Sequence, residues 1–159
     1  MKHTISMLVQ DEPGVMTRIS GMFARRGFNI DTITVGKTNT PGISKIVITV
    51  IGDDYVIEQV EKQLNKIISV TKLNELKNGD AIVTELCLVK VTIKNKKAKD
   101  EIIKTVEEHK AKIADLNDKS VIIQIIDEPK NIDTFLGLMD SFGIKDISRT
   151  GVTGMLKGL

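Results

Sequence analysis

The chain has one cysteine, three prolines, one tyrosine, four phenylalanines and no tryptophan in 159 residues. A single thiol, Cys87, excludes an internal disulfide framework and fits a reducing cytoplasm. No apolar run approaches the roughly 20 residues of a membrane helix. The first ten residues, Met1 to Gln10, are too short and too alternating in polarity for a signal peptide. Neither sign of charge dominates: 23 basic residues face 21 acidic ones, and the net excess of +2 lies before Gly79, where 10 basic residues meet 8 acidic. Neither half therefore carries a polyanion-binding bias. What is present is a hydrophobic content of 41%, enough to build one ordinary core or two small ones.

Periodicity divides the chain. His3, Ile5, Met7 and Val9 alternate with Lys2, Thr4, Ser6 and Leu8, which predicts a strand covered on one face. After Asp11-Glu12-Pro13-Gly14 the period lengthens, and Val15, Ile19, Met22 and Phe23 fall on one side of a helix that Gly27 stops. Asn29 to Val35 and Ile43 to Ile51 are rich in β-branched residues and flank a Thr-Asn-Thr-Pro-Gly turn, so they read as a hairpin. Val56, Val60, Leu64 and Ile67 mark a second helix, and Val70 to Leu76 a fourth strand. The order is βαββαβ.

Lys77 to Asp80 form a polar break, after which the same order returns. Leu86 to Ile93 reads as a strand, and Ala98, Ile102, Val106 and His109 as a helical face. Lys112 to Leu116 and Val121 to Ile126 are strands, followed by a helix opened by Pro129, with Ile132, Phe135, Leu136 and Met139 inward, and a last strand from Ile144 to Ser148. The expected fold is α+β: two tandem ferredoxin-like domains, residues 1–77 and 81–159. Domains of about 75 residues bury only roughly 60% of their unfolded surface, so partners are expected. The third strand is apolar on both faces, with Ile46, Ile48 and Val50 on one and Val47 and Ile51 on the other. A second copy pairing edge to edge is the economical cover.

In such a domain the loop from the first strand into the first helix presents free main-chain N–H groups, where hydrogen bonds and the helix dipole favour a carboxylate. Here it reads Asp11-Glu12-Pro13-Gly14-Val15-Met16. Gly14 lets a ligand approach the backbone and Pro13 stiffens the entry to the helix. A free amino acid fits this chemistry, with its ammonium on Asp11 and its aliphatic part against Val15 and Ile30. A well-capped turn with no ligand fits it too, and the local residues leave both readings open.

The run Asp11 to Val15, Arg18-Ile19, Phe23, Arg25 to Ile30 and Thr34-Val35 resembles the ACT domain of the small subunits of acetohydroxyacid synthase (acetolactate synthase). The likeness continues through Ser44-Lys45, Gly52-Asp53 and Glu58 to Lys66. In the second half it takes in Glu85 to Val91, Ile113 to Leu116, Phe142 to Ile144 and Ser148 to Val152. It covers almost the whole chain.

The resemblance implies a regulatory subunit without catalytic residues of its own: a homodimer through paired ACT domains that binds valine or another branched-chain amino acid. Asp11, Pro13, Gly14, Val15 and Met16 would hold its charged ends, while Asn29 and Ile30 approach from the other protomer. By the same resemblance the second domain binds and activates a separate catalytic subunit, with Arg149 a candidate contact. That subunit, and not this chain, would carry thiamine diphosphate, magnesium and FAD.

Other readings are an ACT regulator of a different biosynthetic enzyme and an acylphosphatase-like hydrolase using Arg18. The latter is opposed by Asp11 and Glu12 in the loop that would hold the phosphate. RNA binding through the sheet is opposed by the absence of aromatics on the first and third strands. No membrane partner and no metal site is expected, His3, Cys87 and His109 lying on three separate elements.

Overall fold

In the computed structural model, which describes residues 1–158, the chain folds into two compact units. The first contains β1 (Lys2–Gln10), α1 (Val15–Arg26), β2 (Asn29–Lys37), β3 (Ile43–Ile51), α2 (Asp54–Leu64) and β4 (Val70–Glu75). Its strands are hydrogen-bonded in the order β2-β3-β1-β4, all antiparallel, the ferredoxin-like arrangement. The alternation read from the sequence places Ile5, Met7 and Val9 on the helix-covered face with Ile46, Ile48 and Val50. Val15, Ile19, Met22 and Phe23 of α1 and Ile57, Val60 and Leu64 of α2 close that core.

Local chemistry sets the helix ends. Gly27, at φ +68°, terminates α1, and the Phe28 N–H reaches back to the Phe23 carbonyl at 3.0 Å. The Asp53 carboxylate accepts the Val56 N–H at 2.9 Å and so starts α2. This start turns Ile57 inward and leaves Val56 half-buried, while Ile67, expected on the helix, lies in the turn beyond it.

The second unit runs from Thr84 to Gly151. It takes most of β5 (Ala81–Thr92), then α3 (Lys96–Glu108), β6 (Lys112–Leu116), β7 (Ser120–Asp127), α4 (Pro129–Asp140) and β8 (Ile144–Arg149). The order β6-β7-β5-β8 repeats that of the first unit. Cys87, Val89 and Val91 meet Ile102, Val106, Ile132, Phe135 and Met139 in its core. His109 caps α3 and sets its ring edge-on to Phe135 with centroids 5.4 Å apart. Burial pushes the Cys87 thiol above its ordinary pKa, so it should react with a disulfide reagent only after denaturation. Stoichiometric labelling of the native protein would contradict this placement.

The segment from Val152 to Gly158 packs with the first unit. It forms β9 (Thr153–Leu156), which pairs with β5. The other face of β3 is covered in part by the chain itself, with Ile51 still 48% exposed. Val47 is buried with Leu76 and Val152, and Ala81 and Val83 pack against them. The periodicity missed this because a four-residue strand with two exposed apolar residues, Met155 and Leu156, carries no amphipathic signal.

Candidate functional site

The loop between β1 and α1 is held by its main chain. The Asp11 N–H donates to the Gly42 carbonyl at 2.8 Å, which fastens the loop to the β2–β3 turn, and the Glu12 N–H donates to the Gln10 carbonyl at 2.9 Å. Gly14 sits at φ +87°, a conformation open to glycine and costly for most other residues. No side chain caps α1 and its first turn contains no carboxylate. The Val15 N–H makes a long bond to the Glu12 carbonyl, 3.3 Å, and the Arg18 N–H is the first to close a helical ring, onto Gly14. Met16 and Thr17 therefore carry the main-chain donors that a helix start leaves without an internal partner. A Cβ built on Gly14 would meet nothing within 4 Å, so glycine is needed there for its backbone angle and not for close packing.

Asp11, Glu12, Pro13 and Gly14 are exposed and Met16 is partly so, whereas the Val15 side chain is 4% exposed and belongs to the core. Val15 thus offers the loop its backbone alone. On its other flank the loop borders a cleft of about 780 Å³ between α1 and the turn after α2. There the buried Ser69 hydroxyl accepts from Arg18 Nη1 at 3.1 Å and lies 3.5 Å from Glu12 Oε2.

Asn29 and Ile30 are not brought to this loop within one chain. Asn29 pairs with Ile51, which also pairs with Lys2 at the start of β1, while Gln10 at the end of β1 pairs with Ile43. Loop and Asn29 therefore lie at opposite ends of strands roughly 27 Å long. A bulge in β2 went unmarked by residue type: Ile30 pairs with Val50 and Thr32 with Thr49, leaving Asp31 as the extra residue. The Asp31 carboxylate accepts from the Thr49 hydroxyl at 3.2 Å and pairs with Lys2 at 2.7 Å. β2 is an edge strand of nine residues, with Val35 54% exposed.

Arg149 lies elsewhere, in the second unit, and is engaged on all three guanidinium nitrogens. Nε and Nη2 bond Glu85 at 3.0 and 2.7 Å, and Nη1 bonds Asp133 at 2.6 Å. Glu85 is 3% exposed, and its hydrogen bonds push the guanidinium above its already high pKa. Glu85 also accepts the Gly151 N–H at 3.2 Å. The one sequence trace of this cluster is Glu85, a charged residue in period-two register with Cys87, Val89 and Val91 at the head of an apolar run. Among the described residues no group of three or more His, Cys, Asp or Glu side chains converges to hold a metal ion, and no helix is long and apolar enough to cross a membrane.

Two ferredoxin-like units in tandem, the first with an uncapped, glycine-led helix start, place the chain in the α+β class. The family models carry the description further. Residues 5–72 match the AHAS small subunit-like ACT domain, and residues 84–158 match the small subunit of acetolactate synthase. A probable acetolactate synthase small subunit from Methanothermobacter thermautotrophicus is 43% identical over 156 residues, covering 98% of this chain and 93% of that one. One from Archaeoglobus fulgidus is 42% identical, covering 99% and 98%. The crystal structure of the acetolactate synthase small subunit from Thermotoga maritima superposes with a TM-score of 0.90 at 38% identity, covering 100% of this chain and 99% of that one. The chain belongs to the acetolactate synthase small subunit family.

Proposed function

We propose that this protein is a regulatory subunit that dimerises through its first unit, binds valine or another branched-chain amino acid between protomers, and conveys feedback inhibition to an acetolactate synthase catalytic subunit that it also activates. The observation that carries this reading is the position of the two half-sites on an open edge. Antiparallel pairing of β2 with a second β2 about a twofold axis at Ile33 sets Asn29 of one copy opposite Lys37 of the other. Lys37 and Val9 are both cross-strand partners of Ser44, so the partner copy's Asn29 and Ile30 arrive at the level where the Asp11 loop begins. Two half-sites at opposite ends of one sheet come to the same end in a symmetric pair.

In that site the N–H groups around Gly14 to Met16 receive the ligand carboxylate, aided by the dipole of α1, and Asp11 receives the ammonium. Asn29 and Ile30 of the second copy close over the remainder. The thiamine diphosphate, magnesium and flavin chemistry belongs to the catalytic subunit, and the complex works in the cytoplasm. The second unit makes the contact with that subunit. A coupling of about 1–3 kcal/mol between ligand and holoenzyme state is enough for such control.

The test is reconstitution. An acetolactate synthase catalytic subunit assayed with the purified chain should gain activity and lose part of that gain on addition of valine, leucine or isoleucine. Absence of both effects would refute the proposal.

A further inference from the structure

The way β9 is fastened has no counterpart in the proposal above. Val152 is 4% exposed, and its main chain is held on both sides by the outer face of β2: the Thr34 hydroxyl donates to its carbonyl at 2.8 Å, and its N–H donates to Thr32 Oγ1 at 3.4 Å. Thr32 Oγ1 in turn lies 2.7 Å from Thr49 Oγ1, which donates to the bulged Asp31. Donors and acceptors run in one direction, from the Val152 amide through Thr32 and Thr49 to the carboxylate beside Ile30. Such a chain is mutually polarised, so loss of one member weakens the others. Immediately before it, the Gly151 N–H is held by Glu85, which Arg149 fixes within the second unit. Val152 follows Gly151 directly, so a single peptide separates the two anchors. Beyond Val152 the strand passes so close to β5 that a Cβ on Gly154 would lie 2.7 Å from the Ile82 carbonyl oxygen.

We infer that the segment from Val152 to Leu156 is a coupling strap. It reads the position of β2, the edge strand that carries Asn29 and Ile30, and passes it through the Gly151–Val152 peptide to the second unit. This rests on the effector site proposed above and adds the route by which occupancy leaves it. A contact that served only to cover Val47 would need an apolar side chain. Here the main-chain polar groups of one residue are matched to alternate threonines of the single strand that a bound effector and a second copy would both touch. Val152 and Thr34 are positioning residues in this device, and neither touches the ligand.

The test compares the wild-type chain, Thr34→Val and a chain ending at Gly151, each assembled with an acetolactate synthase catalytic subunit. Valine binding is read by calorimetry, and activation and inhibition by assay. Thr34→Val keeps shape and removes the donor to Val152. Inhibition should need about threefold more valine in Thr34→Val and at least about tenfold more in the shortened chain, while affinity and valine-free activation stay within about threefold and twofold of wild type. Inhibition at wild-type concentrations in both variants would overturn the strap. So would a loss of affinity in step with the loss of inhibition in Thr34→Val, the variant that leaves the cover over Val47 in place. Either result leaves wild-type binding and inhibition intact, whereas a wild-type chain silent in the calorimeter refutes the effector reading itself.

Discussion

Gly14→Asp should weaken branched-chain amino acid binding by about 100-fold or more while changing stability by no more than about 1 kcal/mol. Two physical effects separate here. Aspartate is one of the few residues that tolerate the left-handed conformation held at Gly14, and a carboxylate at the head of a helix is favoured by the dipole, so the fold loses little. The same carboxylate sits among the N–H groups that the proposed site offers to the ligand acid and would repel it, adding to the negative charge of Asp11. If the loop were only a turn leading into a helix, the substitution would be silent or mildly stabilising. Calorimetric titration with valine beside a urea unfolding curve distinguishes the two. Affinity within about threefold of wild type would remove the N-terminal end of α1 from the site.

Arg149→Met should destabilise the second unit by about 3 kcal/mol, because it leaves the buried Glu85 carboxylate without its cation. The solvent that reaches the guanidinium keeps the figure at the lower end for such a pair. A second change, Glu85→Gln, removes the stranded charge and keeps an acceptor for the Gly151 N–H, so the double variant should regain at least half of the loss. Denaturant unfolding of the two single variants and the double variant measures it. A surface arginine reserved for a catalytic subunit would behave differently: Arg149→Met would unfold like wild type within about 0.5 kcal/mol and lose activation alone.

The two sheets were legible because their signals are local. Alternation in Lys2 to Val9, glycine stops at Gly27 and Gly143, and the Thr-Pro-Gly turn before Ile43 each follow from backbone and side-chain geometry within a few residues. The loop at Gly14 was legible for the same reason, since a proline and glycine before an apolar helix face state where the free amides lie. What escaped the sequence depends on separation along the chain. Thr34 and Val152 are 118 positions apart, and the cover over Val47 joins Leu76, Ala81 and Val83 to the distant Val152. Apolarity on both faces of β3 said that a cover existed but not which segment supplied it. The bulge at Asp31 arises from pairing with β3 and leaves no mark in residue types. The pairing of Arg149 was not legible because Glu85 and Asp133, its partners, come from β5 and α4.

The most direct measurement is sedimentation equilibrium of the purified chain across a range of protein concentrations, with and without saturating valine. A cavity completed by two polypeptides must bind the pair better than the single chain, so valine should tighten the dimer dissociation constant by at least about tenfold, with one molecule held per protomer. A dissociation constant unmoved by valine, with valine bound, would place the ligand within one chain and contradict the shared site.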